Sequence, residues 1–247
     1  MILPIFRSTY SVGRSILTLD EEAEEGGPDS IIQICKENKM KNLILVEDNL
    51  TSFMRAFKVC EEQGLDLYYG LRLTFCNEGE ESDTQSDHKN IIFAKTDRGC
   101  KLLNKIYSLA FCKYGGKIDY KSFHDYWSSE DLSFVVPFYD SFIHKNNFSI
   151  SKCLPDIDDF NPTFWIESNN LPFDPLLQDK VKSYTKGKYK TANVKTICYK
   201  NKEDVEAFQT YRISCGKGQG GRSSLSSPNL DHFASDEFSM ESYLEKA

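Results

Sequence analysis

Residues 41–75 read KNLILVEDNLTSFMRAFKVCEEQGLDLYYGLRLTF, and this stretch decides the fold. Residues 42–46 are a short apolar run of strand length. The segment after them carries Leu50, Phe53, Met54, Phe57 and Cys60 or Glu61 at the three- and four-residue spacing of one helical face. Asp48 or Asn49 is placed to cap that helix at its start and Gly64 to close it. Residues 65–75 are strand-like again. A strand, a helix and a strand in 35 residues make one βαβ unit, a parallel pair joined by a right-handed crossover. Glu47 and Asp48 follow the first strand, at the end where such folds gather their chemistry.

The pattern extends in both directions. Residues 2–6 predict a strand that ends at Arg7-Ser8-Thr9-Tyr10-Ser11, and residues 30–38 a short helix with Ile31, Ile32, Ile34 and Cys35 inward. Residues 77–89 (NEGEESDTQSDHK) hold no apolar side chain, which predicts a solvated insertion or a hairpin. Residues 90–94 predict a strand, and residues 97–112 an amphipathic helix with Leu102, Leu103, Ile106, Tyr107, Leu109 and Ala110 inward. Beyond them, strands are predicted at 132–138, 163–167 and 194–199, with helices at 118–127, 176–184 and 203–214; residues 144–162 read as loop. Alternating strands and helices throughout predict an α/β fold with a mostly parallel sheet. No internal repeat or second hydrophobic centre appears. One domain over residues 1–215 is expected, and residues 216–247 form a Gly/Ser/Pro-rich extension that wraps it.

Composition limits the function classes. With 247 residues and 40% hydrophobic content, the chain can bury a real core. No apolar run approaches the roughly 18–20 residues that span a bilayer, and residues 1–11 turn polar too soon for a signal peptide. The eight cysteines are scattered without a CxxC pair, which reads as reduced thiols in a cytoplasmic chain. A net charge of −7 argues against a surface that coats nucleic acid generally. Residues 180–222, however, hold eleven Lys/Arg against three Asp/Glu. That run is either a solvated basic face or a phosphate-contacting patch, with Lys186, Lys188, Lys190, Lys217 and Arg222 as candidate nucleic-acid contacts.

Chemistry-bearing motifs are sparse. Gly216, Gly218 and Gly221 match GxGxxG, but a helix precedes them where the dinucleotide fingerprint needs a strand, so they read as a loop. His88, His124, His144 and His232 lack the spacing of a zinc site. The compact acidic pairs, Asp156-Ile157-Asp158-Asp159 and Glu47-Asp48, are capable of oxygen ligation to Mg²⁺ or Mn²⁺, or simply of capping.

In order, these segments resemble the PHP (polymerase and histidinol phosphatase) domain at the N-terminus of the bacterial DNA polymerase III α subunit. Arg7-Ser8-Thr9-Tyr10-Ser11 is similar to the family's HSEYS, Asn49-Leu50 falls in its TDHGNL loop, and Gly64-Leu65 with Tyr69-Gly70-Leu71-Arg72 is similar to GI…IGCE. Ile91-Ile92-Phe93-Ala94-Lys95 with Gly99, Leu103 and Tyr107-Ser108-Leu109-Ala110 resembles LLAKNEEGYRNL…SLAY. Tyr199 with Glu203-Asp204, Glu206 and Ala207 resembles HYLRREDAEAH, and Ser227-Pro228-Asn229 with Ser235-Asp236-Glu237-Phe238 resembles the DDPN…TDEF passage leading to the polymerase palm. The collinear set covers almost the whole chain. It implies a distorted (β/α)₇ barrel, a cousin of the TIM barrel.

Active members of that family hold a metal cluster on His, Asp and Glu from the strand ends. Here the matching positions are Ile5 and Arg7, Val46 and Glu47, Arg72, the neighbourhood of Phe138, and Thr196 with Cys198. A one-residue gap would shift Glu47 and Asp48 into the second pair. Most of these side chains offer no ligand, and two bring positive charge. The resemblance therefore implies a catalytically silent barrel without a cofactor, whose arginines fill the centre through ion pairs to carboxylates such as Glu47. Such a module would act in DNA replication by contacting polymerase catalytic domains or a proofreading exonuclease subunit. The alternative is a phosphoesterase or 3′–5′ exonuclease with Mn²⁺ or Mg²⁺ on a rebuilt site of Glu47, Asp48, Asp140 and Glu167.

Overall fold

In the computed structural model, residues 1–77, 86–149, 151, 153–215 and 235–247 are described. The strands are β1 (Leu3–Phe6), β2 (Asn42–Glu47), β3 (Asp66–Cys76), β4 (His88–Ala94), β5 (Lys117–Asp119), β6 (Leu132–Val136), β7 (Thr163–Ile166) and β8 (Lys190–Ile197). Seven of them close on themselves in the order β2-β1-β8-β7-β6-β4-β3, with β3 pairing back to β2. β2 occupies one edge of β3 along residues 66–71, and the short β5 takes over that edge at residues 74–76.

All pairings are parallel except those of β4, which runs against both β3 and β6. β3 and β4 are thus antiparallel neighbours in the sheet, and residues 78–85 of the polar stretch that joins them lie outside the described residues. The expected α/β barrel forms as a closed, mixed seven-stranded barrel, and among the described residues no α-helix stands between β3 and β4.

The helices are α1 (Ile31–Glu37), α2 (Phe53–Gln63), α3 (Asp97–Cys112), α4 (Tyr120–His124), α5 (Phe142–Phe148), α6 (Asp174–Thr185), α7 (Val205–Cys215) and α8 (Met240–Lys246). Local sequence explains their limits. Ser30, Thr96, Asp119, Ser141 and Ser239 each accept a backbone N–H of the first turn, a cap worth about 1 kcal/mol. Gly64 closes α2 in the left-handed conformation, φ 67°, where glycine has no Cβ to clash. The start of α2 departs from expectation. Its N-cap is Ser52, because Asp48 is engaged elsewhere and the Asn49 side chain bonds Thr51 and the Tyr10 carbonyl. Its inward face is Ala56, Val59 and Cys60, while Met54 and Phe57 stay 59% and 47% exposed. α5 falls where loop was expected, capped by Ser141, and residues 117–119 are strand rather than helix.

Alternation along the strands sorts side chains between two layers. Ile5, Val46, Ile91, Val135, Trp165 and Val194 fill the barrel. Gly70 belongs to this interior, since a Cβ there would stand 2.7 Å from the Phe93 ring. Their neighbours Phe6, Leu45 and Ile197 pack outward with Ile32, Cys35, Ala56 and Val59. Leu71, Phe75, Ile92 and Phe134 pack with Leu103, Ile106, Phe123 and Leu177 in the larger outer cluster.

Residues 235–247 return to the barrel. The Cys198 N–H donates to the Phe238 carbonyl at 2.8 Å and the Met240 N–H to Tyr199 at 3.0 Å, and Phe238 and Met240 are buried. This end of the expected extension is part of the packed body. Among the described residues no helix is long and apolar enough to cross a membrane. No disulfide joins any two of the eight cysteines.

Candidate functional site: an arginine-lined barrel mouth

The barrel narrows to an apolar plug and then opens, at the carboxyl ends of the parallel strands, into a cavity of about 70 Å³. Ile5, Val46, Ile91 and Trp165 make its floor; Arg7, Arg14, Arg72 and Arg212 contribute guanidiniums to its wall, and Asp140 and Glu167 contribute carboxyls. The period of two carries the interior faces of β1, β2 and β3 directly into this mouth. Ile5 leads to Arg7, Val46 to Asp48, and Gly70 to Arg72.

Asp48 is the hub. Its Oδ1 lies 2.9 Å from Arg7 Nη2 and 3.2 Å from Arg72 Nη1, and its Oδ2 lies 3.5 Å from Arg14 Nε. Burial alone would raise its pKa, but Arg7, Arg72, Arg14 and Lys89 outweigh that and hold it well below the carboxylate range. Arg72 donates its second nitrogen to Asp140 Oδ2, and Lys145 lies 4.0 Å from Oδ1. Asp140 has left-handed backbone, φ 60°, a conformation Asp tolerates at a cost; its carbonyl accepts the Lys89 N–H at 2.7 Å. The contact of Arg7 Nη2 with Asp48 falls outside hydrogen-bond geometry, and neither Nε nor Nη2 of Arg7 has a hydrogen-bond acceptor among the described residues.

Glu167 is held on the opposite wall by Thr196 Oγ1 at 3.0 Å, the Thr196 N–H at 3.2 Å and Asn169 Nδ2 at 3.0 Å. Burial still raises its pKa. Burial likewise pushes the Cys198 thiol up to about 12, despite Arg7, so it stays a neutral SH at physiological pH. Lys89 is driven down to about 8, chiefly by burial and then by Arg72; its ammonium donates to Thr74 Oγ1 at 2.6 Å.

Six positions selected by the family resemblance, Ile5, Arg7, Val46, Arg72, Thr196 and Cys198, line this one cavity. Two do not. Phe138 is buried in the outer cluster, and Pro137 and Tyr139 border the cavity in its place. Glu47 points away from the barrel axis. It accepts the Ser8 N–H at 3.0 Å and the hydroxyls of Ser8 and Ser11, which ties the loop after β1 to β2. The carboxylate partner of the arginines is therefore Asp48, one residue beyond the Glu47 that was expected. Of the four-carboxylate alternative, Asp48, Asp140 and Glu167 gather at the mouth and Glu47 does not. Sequence reasoning missed Arg14, Arg212 and Lys89 as members of the site. Only the alternation that puts Lys89 two residues before Ile91 could have signalled one of them.

The donor set does not fit a divalent-ion cluster. Among the described residues no three His, Cys, Asp or Glu side chains are placed to hold a metal ion. The Asp48 carboxylate is shared by three guanidiniums, and Glu167 is occupied by Thr196 and Asn169. The histidines lie elsewhere. His88 bonds Tyr120 and the Ser86 carbonyl, and His124 lies 3.6 Å from Asp159; His144 is on α5. His232 and the 216–221 glycine run lie outside the described residues.

Among the described residues, the basic run that begins at residue 180 does not make one face. Lys186 and Lys188 precede β8 and Lys190 begins it, at the opposite end of the barrel from the mouth that Arg212 reaches. Lys188 is paired with Asp158 at 2.7 Å. Lys217 and Arg222 lie outside the described residues.

A second concavity, about 570 Å³, runs between α2 and α3 and is lined by Phe53, Met54, Phe57, Leu67 and Leu103. No protein-family model matches the chain, and no curated protein matches it.

Proposed function

We propose that this chain is a PHP-like barrel that has lost metal chemistry and works as a protein-binding module of a DNA replication assembly. The observation that carries the reading is the Asp48 hub, where three guanidiniums take up one carboxylate at the barrel mouth. Cations in that position repel a second cation and neutralise its best ligand. Support for the family comes from six resemblance-selected positions lining one cavity. Support for a protein partner comes from the α2–α3 groove, where Met54 and Phe57 are exposed, since contiguous exposed apolar surface marks interaction sites. The partner classes are the polymerase catalytic domains and the proofreading exonuclease subunit.

The test combines hydrolysis and binding. Purified protein is assayed on single-stranded DNA and a generic phosphodiester in Mn²⁺, beside an Asp48→Ala, Glu167→Ala variant. Hydrolysis above the variant's level would overturn the silent reading and favour the phosphoesterase. Binding to each purified replication subunit is then measured for the wild type and for Phe57→Asp. Retention of a subunit that Phe57→Asp releases is the expected result, and retention of none would sink the replication role.

A further inference from the structure

We propose that the barrel mouth is an anion site that takes a phosphoryl-sized dianionic oxyanion directly on arginine, with no metal between them. This goes beyond the scaffold reading and holds whether or not the barrel serves a replication assembly.

The first argument is charge. Four guanidiniums line the cavity, and Lys89 and Lys145 stand at its edge through Thr74 and Asp140. Against them the described residues set Asp48, Asp140 and Glu167. Setting Arg212 aside, Arg7, Arg14, Arg72, Lys89 and Lys145 stand against Asp48, Asp140 and Glu167, an excess of about two positive charges by ordinary ionisation. Arg14 is lowered by burial and next by Arg72, and Lys89 is lowered by burial and next by Arg72. Like charges brought together beside an apolar floor of Ile5, Val46, Ile91 and Trp165 are costly unless an anion joins them.

Unused donors make the second argument. Arg7 is 8% exposed and lines the cavity, yet its Nε lacks a hydrogen-bond acceptor and its Nη2 has only the ion pair to Asp48 at 2.9 Å. Buried donors are nearly always satisfied in folded proteins, so a buried guanidinium whose Nε has no acceptor, and whose Nη2 is held only by its ion pair to Asp48, has donor capacity left for a further oxygen. Arg7, Arg72 and Arg14 already converge, since all three reach the same carboxylate within 3.5 Å. Planar forks aimed at one point suit a tetrahedral oxyanion, whose oxygens accept several at once.

Size supplies the third. A cavity of about 70 Å³ has room for a few water-sized groups, which admits a phosphoryl group and not a nucleoside. A larger phosphomonoester would leave the rest of its structure outside the mouth.

Titration calorimetry on the full chain tests this, using inorganic phosphate at constant ionic strength with chloride as the balancing salt. Saturable 1:1 binding is expected. It should weaken by at least about tenfold in an Arg14→Gln, Arg212→Gln variant, which removes two charge-assisted donors. These two residues are chosen because neither is a fully buried partner of the hub, and circular dichroism confirms that the variant is folded. Adenosine monophosphate and adenosine separate the sources. Equal affinity for phosphate and the monophosphate, with none for adenosine, identifies the free ion; tighter binding of the monophosphate identifies a phosphoryl group on a larger ligand. The proposal is overturned by no saturable heat up to about 10 mM phosphate, an affinity too weak to matter, by undiminished affinity in the variant, or by adenosine binding as well as its phosphate.

Discussion

Asp48 holds the largest concentration of electrostatic consequence in a single side chain, and its removal has a sign that can be worked out. Asp48→Asn keeps the shape and deletes the charge, leaving Arg7, Arg14 and Arg72 without their common counter-ion. An uncompensated buried charge costs about 3–5 kcal/mol. Because the Asp48 side chain is 26% exposed, the low end applies, a loss of about 3 kcal/mol at neutral pH by urea unfolding. Its pKa is depressed in the fold, so the stabilisation is complete above the unfolded value of about 3.9 and is lost as pH falls below it. The gap between wild type and variant should close below about pH 4; a gap constant to pH 2 would contradict the pairing. His88 provides the opposite case. It is 2% exposed, and burial first, then Lys145, lowers its pKa to about 4 against the favourable Ser86 carbonyl. The unfolded chain takes up a proton near pH 6.5 that the fold refuses until about pH 4, so stability present above 6.5 declines through that window, by about 3 kcal/mol. His88→Gln should flatten the stability profile between pH 4 and 6.5, and an unchanged slope there would assign the acid sensitivity elsewhere.

At the scale of elements, the legible part was whatever rested on short-range signals. Residues 97–112 were expected to be helical and α3 spans Asp97–Cys112, because Thr96 caps a long amphipathic run. The βαβ unit of residues 41–75 formed with β2 and β3 parallel. Strand direction was not legible, since the apolar run of β4 reads the same either way and only the polar stretch before it hinted at a hairpin. Nor was the inward face of α2 legible. Met54 and Phe57 share its apolar stripe, yet they line the groove between α2 and α3 and stay exposed. The site was half legible for the same reason. Period two along β2 places Asp48 with Val46 inside, yet from sequence alone Glu47 and Asp48 were interchangeable by a one-residue gap. Gly99 tests how tightly the elements meet. A Cβ there would stand 2.2 Å from the Asp131 carbonyl oxygen, at the point where Thr96 also bonds Asp131. Alanine ordinarily gains about 1 kcal/mol over glycine within a helix. Overpacking against backbone costs about 3 kcal/mol, so Gly99→Ala should destabilise by about 2 kcal/mol, and a stabilised variant would mean that α3 can shift away from β6.

For the whole molecule, the decisive question is whether residues 235–247 belong to the cooperative unit or decorate it. Their contacts place them inside. Phe238 joins Leu171, Cys198, Tyr199 and Phe208 in one buried cluster, and Glu237 takes the ammonium of Lys195 at 2.7 Å. Lys195 projects outward from β8, between the inward Val194 and Thr196, and is 3% exposed. Without Glu237 its charge would have no carboxylate partner among the described residues. A chain ending at residue 215 loses the burial of Phe238 and Met240, about 2 kcal/mol each, and adds an unpaired buried ammonium at about 3 kcal/mol or more. The sum approaches the whole stability of an ordinary domain, so the shortened chain should unfold at much lower urea. Lys195→Met separates the two contributions. In the full chain it strands part of the Glu237 charge, which keeps Lys246 and Ser242, and so destabilises. In the shortened chain it removes the unpaired ammonium and fills the space with apolar atoms, and so stabilises. Urea unfolding of the four chains forms a double-mutant cycle in which the effect of Lys195→Met must change sign. The same sign in both backgrounds would place the stabilising role of the segment in Phe238 and Met240 alone, and equal stability of the two parent chains would put residues 235–247 outside the cooperative unit.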